Sequence, residues 1–235
     1  MAILRGPAGC DWDRAQDFAD IAPYTIEEAY EVKEAIDRGD MGELREELGD
    51  LLFQTVFQSR IAEERGLFDF HDVCAGLVAK MVRRHPHVFA DADTLDWEGA
   101  KAAERPEGGV LDGVALALPA LMRAQKLQKR AARVGFDWPD ADGPRDKVRE
   151  ELAEVEAASE AERHEEVGDL LFSVVNLARH LGVDAEAALR DASAKFQRRF
   201  ERVEAELGDG LAAAGLEAMD VAWETAKKEA DKSGE

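Results

Sequence analysis

The sequence predicts an all-α protein built as a tandem duplication of one helical unit. Apolar residues recur at helical spacing, and no alternating β-branched run suggests a strand. Five short strings also recur in the same order, which marks an internal repeat. "GCDW" at 9–12 returns as "GFDW" at 135–138, and "EEAYEV" at 27–32 returns as "EELAEV" at 150–155. "EELGDLLF" at 46–53 returns as "EEVGDLLF" at 165–172. "AKMVRR" at 79–84 returns as "AKFQRR" at 194–199, and "WEGAK" at 97–101 as "WETAK" at 223–227. Offsets drift between 115 and 126 residues, which places the length changes in the segments between matches.

Each element follows from local signals. Thr25 followed by Glu28 reads as a capping box that opens the first long helix, and Gly39 closes it. The stretch 41–64 lacks Pro and carries Leu44, Leu48, Leu51, Leu52, Val56 and Ile61 at helical spacing. Helices are predicted over 71–84, 94–104, 118–133, 145–158, 161–181, 184–206 and 216–230, bounded by Gly, Pro or Asp. "RPEGGVLDGVAL" at 105–116, with one Pro and three Gly, reads as the break between copies. The organisation is therefore a first repeat over 1–105, a linker over 106–116 and a second repeat over 117–235.

Composition narrows the function. The 235 residues carry 51 acids against 30 bases, a formal net charge of −21. Such a chain repels a nucleic-acid backbone, whose binding needs clustered Lys and Arg. An anionic small molecule binds it only through a divalent cation or a local basic patch. No run of eighteen apolar residues suggests a membrane span. "MAILRGPAGCDWD" lacks the pattern of a secretory signal, and the two cysteines, Cys10 and Cys74, form no framework. The expected location is the cytoplasm.

The repeated strings carry carboxylates. In the first copy Glu28-x-x-Glu31 precedes Glu47-x-x-Asp50, and in the second Glu151-x-x-Glu154 precedes Glu166-x-x-Asp169. In a chain this acidic, pairs at i, i+3 arise by chance about eleven times, so the weight rests on the duplicated foursome. Spacing of three puts both carboxylates on one helix face, and a short turn lets two such faces meet. Four converging carboxylates repel one another unless protons or a cation enter. Oxygen-only ligands favour a hard ion such as Mg²⁺. The alternative is a solvated acidic face, and for Glu28 a capping role alone.

Other residues are candidates for substrate. Lys195, Arg198 and Arg199 recur at the places of Lys80, Arg83 and Arg84, and Lys195 and Arg199 share a face as a phosphate clamp. Trp223 and Lys227, like Trp97 and Lys101, set a ring and an ammonium one turn apart, suited to stacking on a base or to core packing. Glu165, beside Glu166, is a candidate general base or a solvated acid. In "LMRAQKLQKRAARV", Arg123, Lys126, Arg130 and Arg133 form one stripe, and Leu121, Ala124, Leu127, Ala131 and Val134 another.

With "GCDWDRAQDF", "APYTIEEAYEV", "ELGDLLFQTVF", "RRHPHVF", "LPALMRAQKLQKRAARVGFDW", "EEVGDLLFSVVNLARH" and "KFQRRF", nearly the whole chain resembles the MazG-type nucleoside triphosphate pyrophosphohydrolases. These belong to the all-α NTP pyrophosphatases. The resemblance implies helices paired into four-helix-bundle-type domains across a homodimer. It implies hydrolysis of an NTP to NMP and pyrophosphate, with broad base tolerance and Mg²⁺ as cofactor, Mn²⁺ being a substitute. The family's E-x-x-E…E-x-x-D signature falls on Glu151, Glu154, Glu166 and Asp169, and equally on Glu28, Glu31, Glu47 and Asp50. Carboxylate-held Mg²⁺ suits that reaction, because it neutralises phosphate charge and acidifies a bound water.

The first copy departs from the family at its start, with eight residues before "GCDW" where the second has a whole helix. The second copy is therefore expected to be the main catalytic centre. Two other readings remain: a narrow enzyme for dUTP or phosphoribosyl-ATP, and an acidic helical scaffold that acts by binding a partner.

Overall fold

A computed structural model describes residues 1–90 and 108–233, and among them no strand occurs. The chain forms two compact units, Met1–Pro106 and Glu107–Glu235. The helix expected over 94–104, with Trp97 and Lys101, lies outside the described residues.

The first unit holds α1 (Asp11–Ala15), α2 (Phe18–Arg38), α3 (Met41–Glu64), α4 (Phe70–Arg84) and the single turn α5 (Pro86–Phe89). One expectation needs correction: α2 begins at Phe18, not at Thr25. Asp17 accepts from the N–H groups of Ala19 and Asp20, and Asp20 returns the bond to Asp17 N–H. This acidic capping box satisfies the free donors earlier in the chain, and Pro23 is carried inside the helix. Thr25 sits mid-helix, where its hydroxyl accepts from Gln58 Nε2 at 2.8 Å. Gly39 does end the helix: its φ of +71° lets Asp40 N–H reach Ala35 O at 3.0 Å. Asp40 then caps α3 by accepting from Gly42 and Glu43 N–H, each at 3.0 Å.

That short turn folds α3 back along α2 and sets their acidic faces opposite each other. Ile21, Phe57 and Ile61 close the pair with Met1 and Phe18 packed on them, each full burial stabilising by about 1.5–3 kcal/mol. Residues before α1 form turns, as the missing opening helix predicts. Arg5 anchors them: its guanidinium lies 5.4 Å from the Phe57 ring centre and meets Glu64 at 2.8 Å.

The second unit holds α6 (Ala120–Arg133), α7 (Asp142–Ala157), α8 (Arg163–His180), α9 (Ala185–Leu207), a 3₁₀ segment (Gly208–Ala213) and α10 (Leu216–Ser233). Helices α7 and α8 pair as α2 and α3 do, α6 lies across α8 and α9, and α9 pairs with α10. The buried side of α6 is centred on Gln125 and Gln128, between its flanking apolar residues. Their amides donate to the carbonyls of Val183 and Phe172, at 3.3 and 2.8 Å. The apolar run after each acidic string is only partly buried. Phe57 and Val175 are enclosed, whereas Leu48, Leu52, Phe53, Leu171 and Phe172 remain exposed.

Candidate metal centre and adjoining cleft

Two carboxylate clusters form, one in each unit. Glu28 on α2 meets Glu47 and Asp50 on α3, and Glu151 on α7 meets Glu166 and Asp169 on α8. In each trio one oxygen per residue lies within 4.8 Å of the others. Glu31 and Glu154 stand outside these trios but close enough to act on them electrostatically. Burial first, then repulsion from Glu31 and Asp50, pushes Glu47 above the usual carboxylate range. Burial likewise raises Glu28, against the Gln54 hydrogen bond and with help from Asp50. Burial also raises Glu154, with repulsion from Glu151 adding to it.

The second trio has features the first lacks. Glu151 is only 4% exposed, and its Oε1 pairs with Lys147 Nζ at 2.6 Å. Its Oε2 is buried with no hydrogen-bond partner among the described residues. A buried carboxylate oxygen facing two further carboxylates, with no donor, is an arrangement that a cation completes. All candidate donors are carboxylate oxygens, so the set fits a hard divalent ion. In the first trio the matching contact is a neutral one, Gln54 Nε2 to Glu28 Oε1 at 3.2 Å.

A cleft of about 530 Å³ opens beside the second trio, with Glu151 and Asp169 both in its wall. Phe136, Trp138, Leu127 and Phe172 make its apolar lining. Lys147, Gln128, Asn176, Asp137 and Arg179 supply its polar groups. The "GFDW" string forms part of this wall because Asp137 accepts from Arg179 Nη1 and His180 Nε2, both at 2.9 Å. Those contacts, Arg179 foremost, pull the Asp137 carboxyl down to about 2. Leu111, from the stretch before α6, also lines the cleft.

The other candidates lie elsewhere. Lys195, Arg198 and Arg199 are on α9, and Trp223 and Lys227 on α10. None of the five lines the cleft. Trp223 is half-buried against Phe196, its ring centre 5.2 Å away, and Lys227 pairs with Glu224 at 2.7 Å. Lys195 and Arg198 are exposed, and the Nε of Arg199 is buried without a partner among the described residues. Glu165 is exposed at the start of α8, next to Glu166. Sequence reasoning passed over Lys147, Gln128, Asn176 and Arg179. Lys147, four residues before Glu151, was the detectable signal, since that spacing pairs them on one helix face.

Comparison with known proteins gives this geometry its context. The MazG nucleotide pyrophosphohydrolase domain matches residues 16–89 and again 145–204, covering each carboxylate set. The chain is 49% identical to the nucleoside triphosphate pyrophosphohydrolase of Escherichia coli, over 97% of this chain and 95% of that protein. It is 46% identical to the nucleoside triphosphate pyrophosphohydrolase/pyrophosphatase MazG of Thermotoga maritima, over 97% of this chain and 92% of the relative. Two copies of one domain, each with its acidic foursome on a helical pair, make this chain a member of the MazG family.

Proposed function

We propose that this protein is a Mg²⁺-dependent nucleoside triphosphate pyrophosphohydrolase that releases NMP and pyrophosphate, with its main centre in the second unit. The supporting observation is the cleft that shares Glu151 and Asp169 with the carboxylate trio. It brings an aromatic chamber for a nucleoside next to a site for a cation and its phosphates. Its relatives' names point the same way.

Glu151, Glu166 and Asp169 hold the ion, with Glu154 beside them. When bound, the ion supplies charge neutralisation on the phosphates and an acidified water. Lys147 holds Glu151 in place and adds positive charge beside the phosphates. Glu165 is the proposed general base, next to the ligand Glu166. Lys195, Arg198, Arg199, Trp223 and Lys227 are proposed to serve the triphosphate and base from α9 and α10. Because none of them lines the cleft, that role belongs to an assembled form of the protein. The exposed apolar residues of α3 and α8 support a homodimer, since burying them against a second copy removes them from water.

Broad base tolerance suits nucleotide-pool clearing in the cytoplasm. Among the described residues no helix is long and apolar enough to cross a membrane. The test is incubation with Mg²⁺ and a mixed NTP pool, followed by detection of NMP and pyrophosphate. Products from several bases support the reading; turnover of dUTP or phosphoribosyl-ATP alone favours a narrow enzyme. No product under any condition favours a scaffold.

A further inference from the structure

The sequence contains a single asparagine, Asn176, and it lies in the cleft wall on α8. Its side chain is oriented without ambiguity. Arg179, which has only donors, reaches Asn176 Oδ1 with Nε at 3.0 Å and Nη2 at 2.7 Å. The carbonyl end must face Arg179, so the amide nitrogen is the end left over. Nδ2 makes no hydrogen bond among the described residues, although the residue is only 7% exposed. The amide N–H₂ is thus the end of a largely buried side chain that faces the cleft with its donors unspent.

The surroundings decide which atom. Arg179 is neutralised by its paired contact with Asp137, so this wall carries no spare positive charge for a phosphate. Phe136, Trp138 and Phe172 make it aromatic. Gln128 has the converse condition: its amide nitrogen is spent on Phe172 O, and its Oε1 is buried without a donor. An unspent donor in an aromatic-lined cleft matches the edge of a nucleobase, which always offers an acceptor.

We propose that Asn176 is a base-binding residue, donating from Nδ2 to an acceptor of the nucleobase. The inference rests on the pyrophosphohydrolase reading and names the part of the substrate this wall holds. Such a contact is base-tolerant, because every natural nucleobase carries a ring nitrogen or carbonyl acceptor.

Asn176→Asp separates this role from a purely structural one. The carboxylate keeps an oxygen for Arg179 and replaces the donor with an acceptor. The variant raises KM for ATP, GTP, CTP and UTP about tenfold or more, with kcat within about twofold. The inhibition constant of inorganic tripolyphosphate, a probe without a base, stays at its wild-type value. Wild-type KM values in the variant overturn the proposal, and so does an equal rise for tripolyphosphate, which marks simple charge repulsion. A second measurement uses the intact wild-type chain: labelling with ¹⁵N-asparagine yields one side-chain amide pair. Added AMP with Mg²⁺ shifts that pair and tripolyphosphate does not; an unmoved pair overturns the proposal. Absence of pyrophosphate release from wild type defeats the functional reading itself, a separate outcome.

Discussion

The two carboxylate sets share residue types and spacing, yet their surroundings differ. In the first unit Glu28 faces its neighbours with a neutral partner, Gln54. In the second, Glu151 is more deeply buried and carries a cation, Lys147, at 2.6 Å. By the alignment of the two strings, Tyr24 stands at the place of Lys147 and Gln54 at that of Ser173. The second unit also has α6, which completes a cleft against α8, where the first has turns anchored by Arg5. The duplicated acids thus sit in two different settings, and the second adds a cation beside them and an aromatic wall, the layer that the proposed nucleotide site requires.

Substitutions can break this contrast. Glu151→Gln keeps the shape but removes a ligand charge. It should lower pyrophosphate release by more than about 100-fold, beyond what loss of an outer-shell partner costs. Steady-state rates with saturating Mg²⁺ check it. Lys147→Met leaves Glu151 buried without its cation. Because the lysine is itself partly exposed, the loss is small, read as a lowered midpoint in denaturant titration without metal. Added Mg²⁺ should recover part of that loss, since the ion takes over the charge.

Proton linkage sharpens the same comparison. Glu28 and Glu47 are raised above their ordinary 4.5, so from 4.5 up to their folded values the native chain holds more protons than the unfolded one. Stability from these groups therefore falls as pH rises through that window. Without metal, melting curves should show this decline, and Mg²⁺ should raise the midpoint more at about pH 8 than at about pH 5. Asp137, held down to about 2, works in the opposite sense. Its contribution is full above 3.8 and is lost as pH falls toward 2. The smallest effect is Gln54→Leu, which deletes the neutral donor to Glu28 and should cost about 1 kcal/mol by denaturant titration, with activity unchanged.

Much of the fold was legible because its signals are local. Apolar spacing and Gly39 gave α3 as Met41–Glu64 and the turn before it. The start of α2 was missed because its capping box uses Asp17 with Asp20, and Thr25 with Glu28 offered a more familiar pattern. The carboxylates were readable from duplication. The cleft was not, because its wall joins Asp137 to Arg179, 42 positions apart, and a glutamine of α6 to the backbone of α8. Nothing in local periodicity announces such pairs. Gln125 and Gln128 lay unremarked between the basic and apolar stripes, although buried polar residues of this kind need partners and so point to specific contacts.

The central claim is that the second unit, whose carboxylates adjoin the cleft, carries the chemistry, and that the first unit's matching set does not. Glu166→Ala and Glu47→Ala, assayed separately for pyrophosphate release from ATP with Mg²⁺, test it most directly. The account predicts near-complete loss in Glu166→Ala and activity within about twofold of wild type in Glu47→Ala. Full activity in Glu166→Ala, with loss in Glu47→Ala, would contradict it.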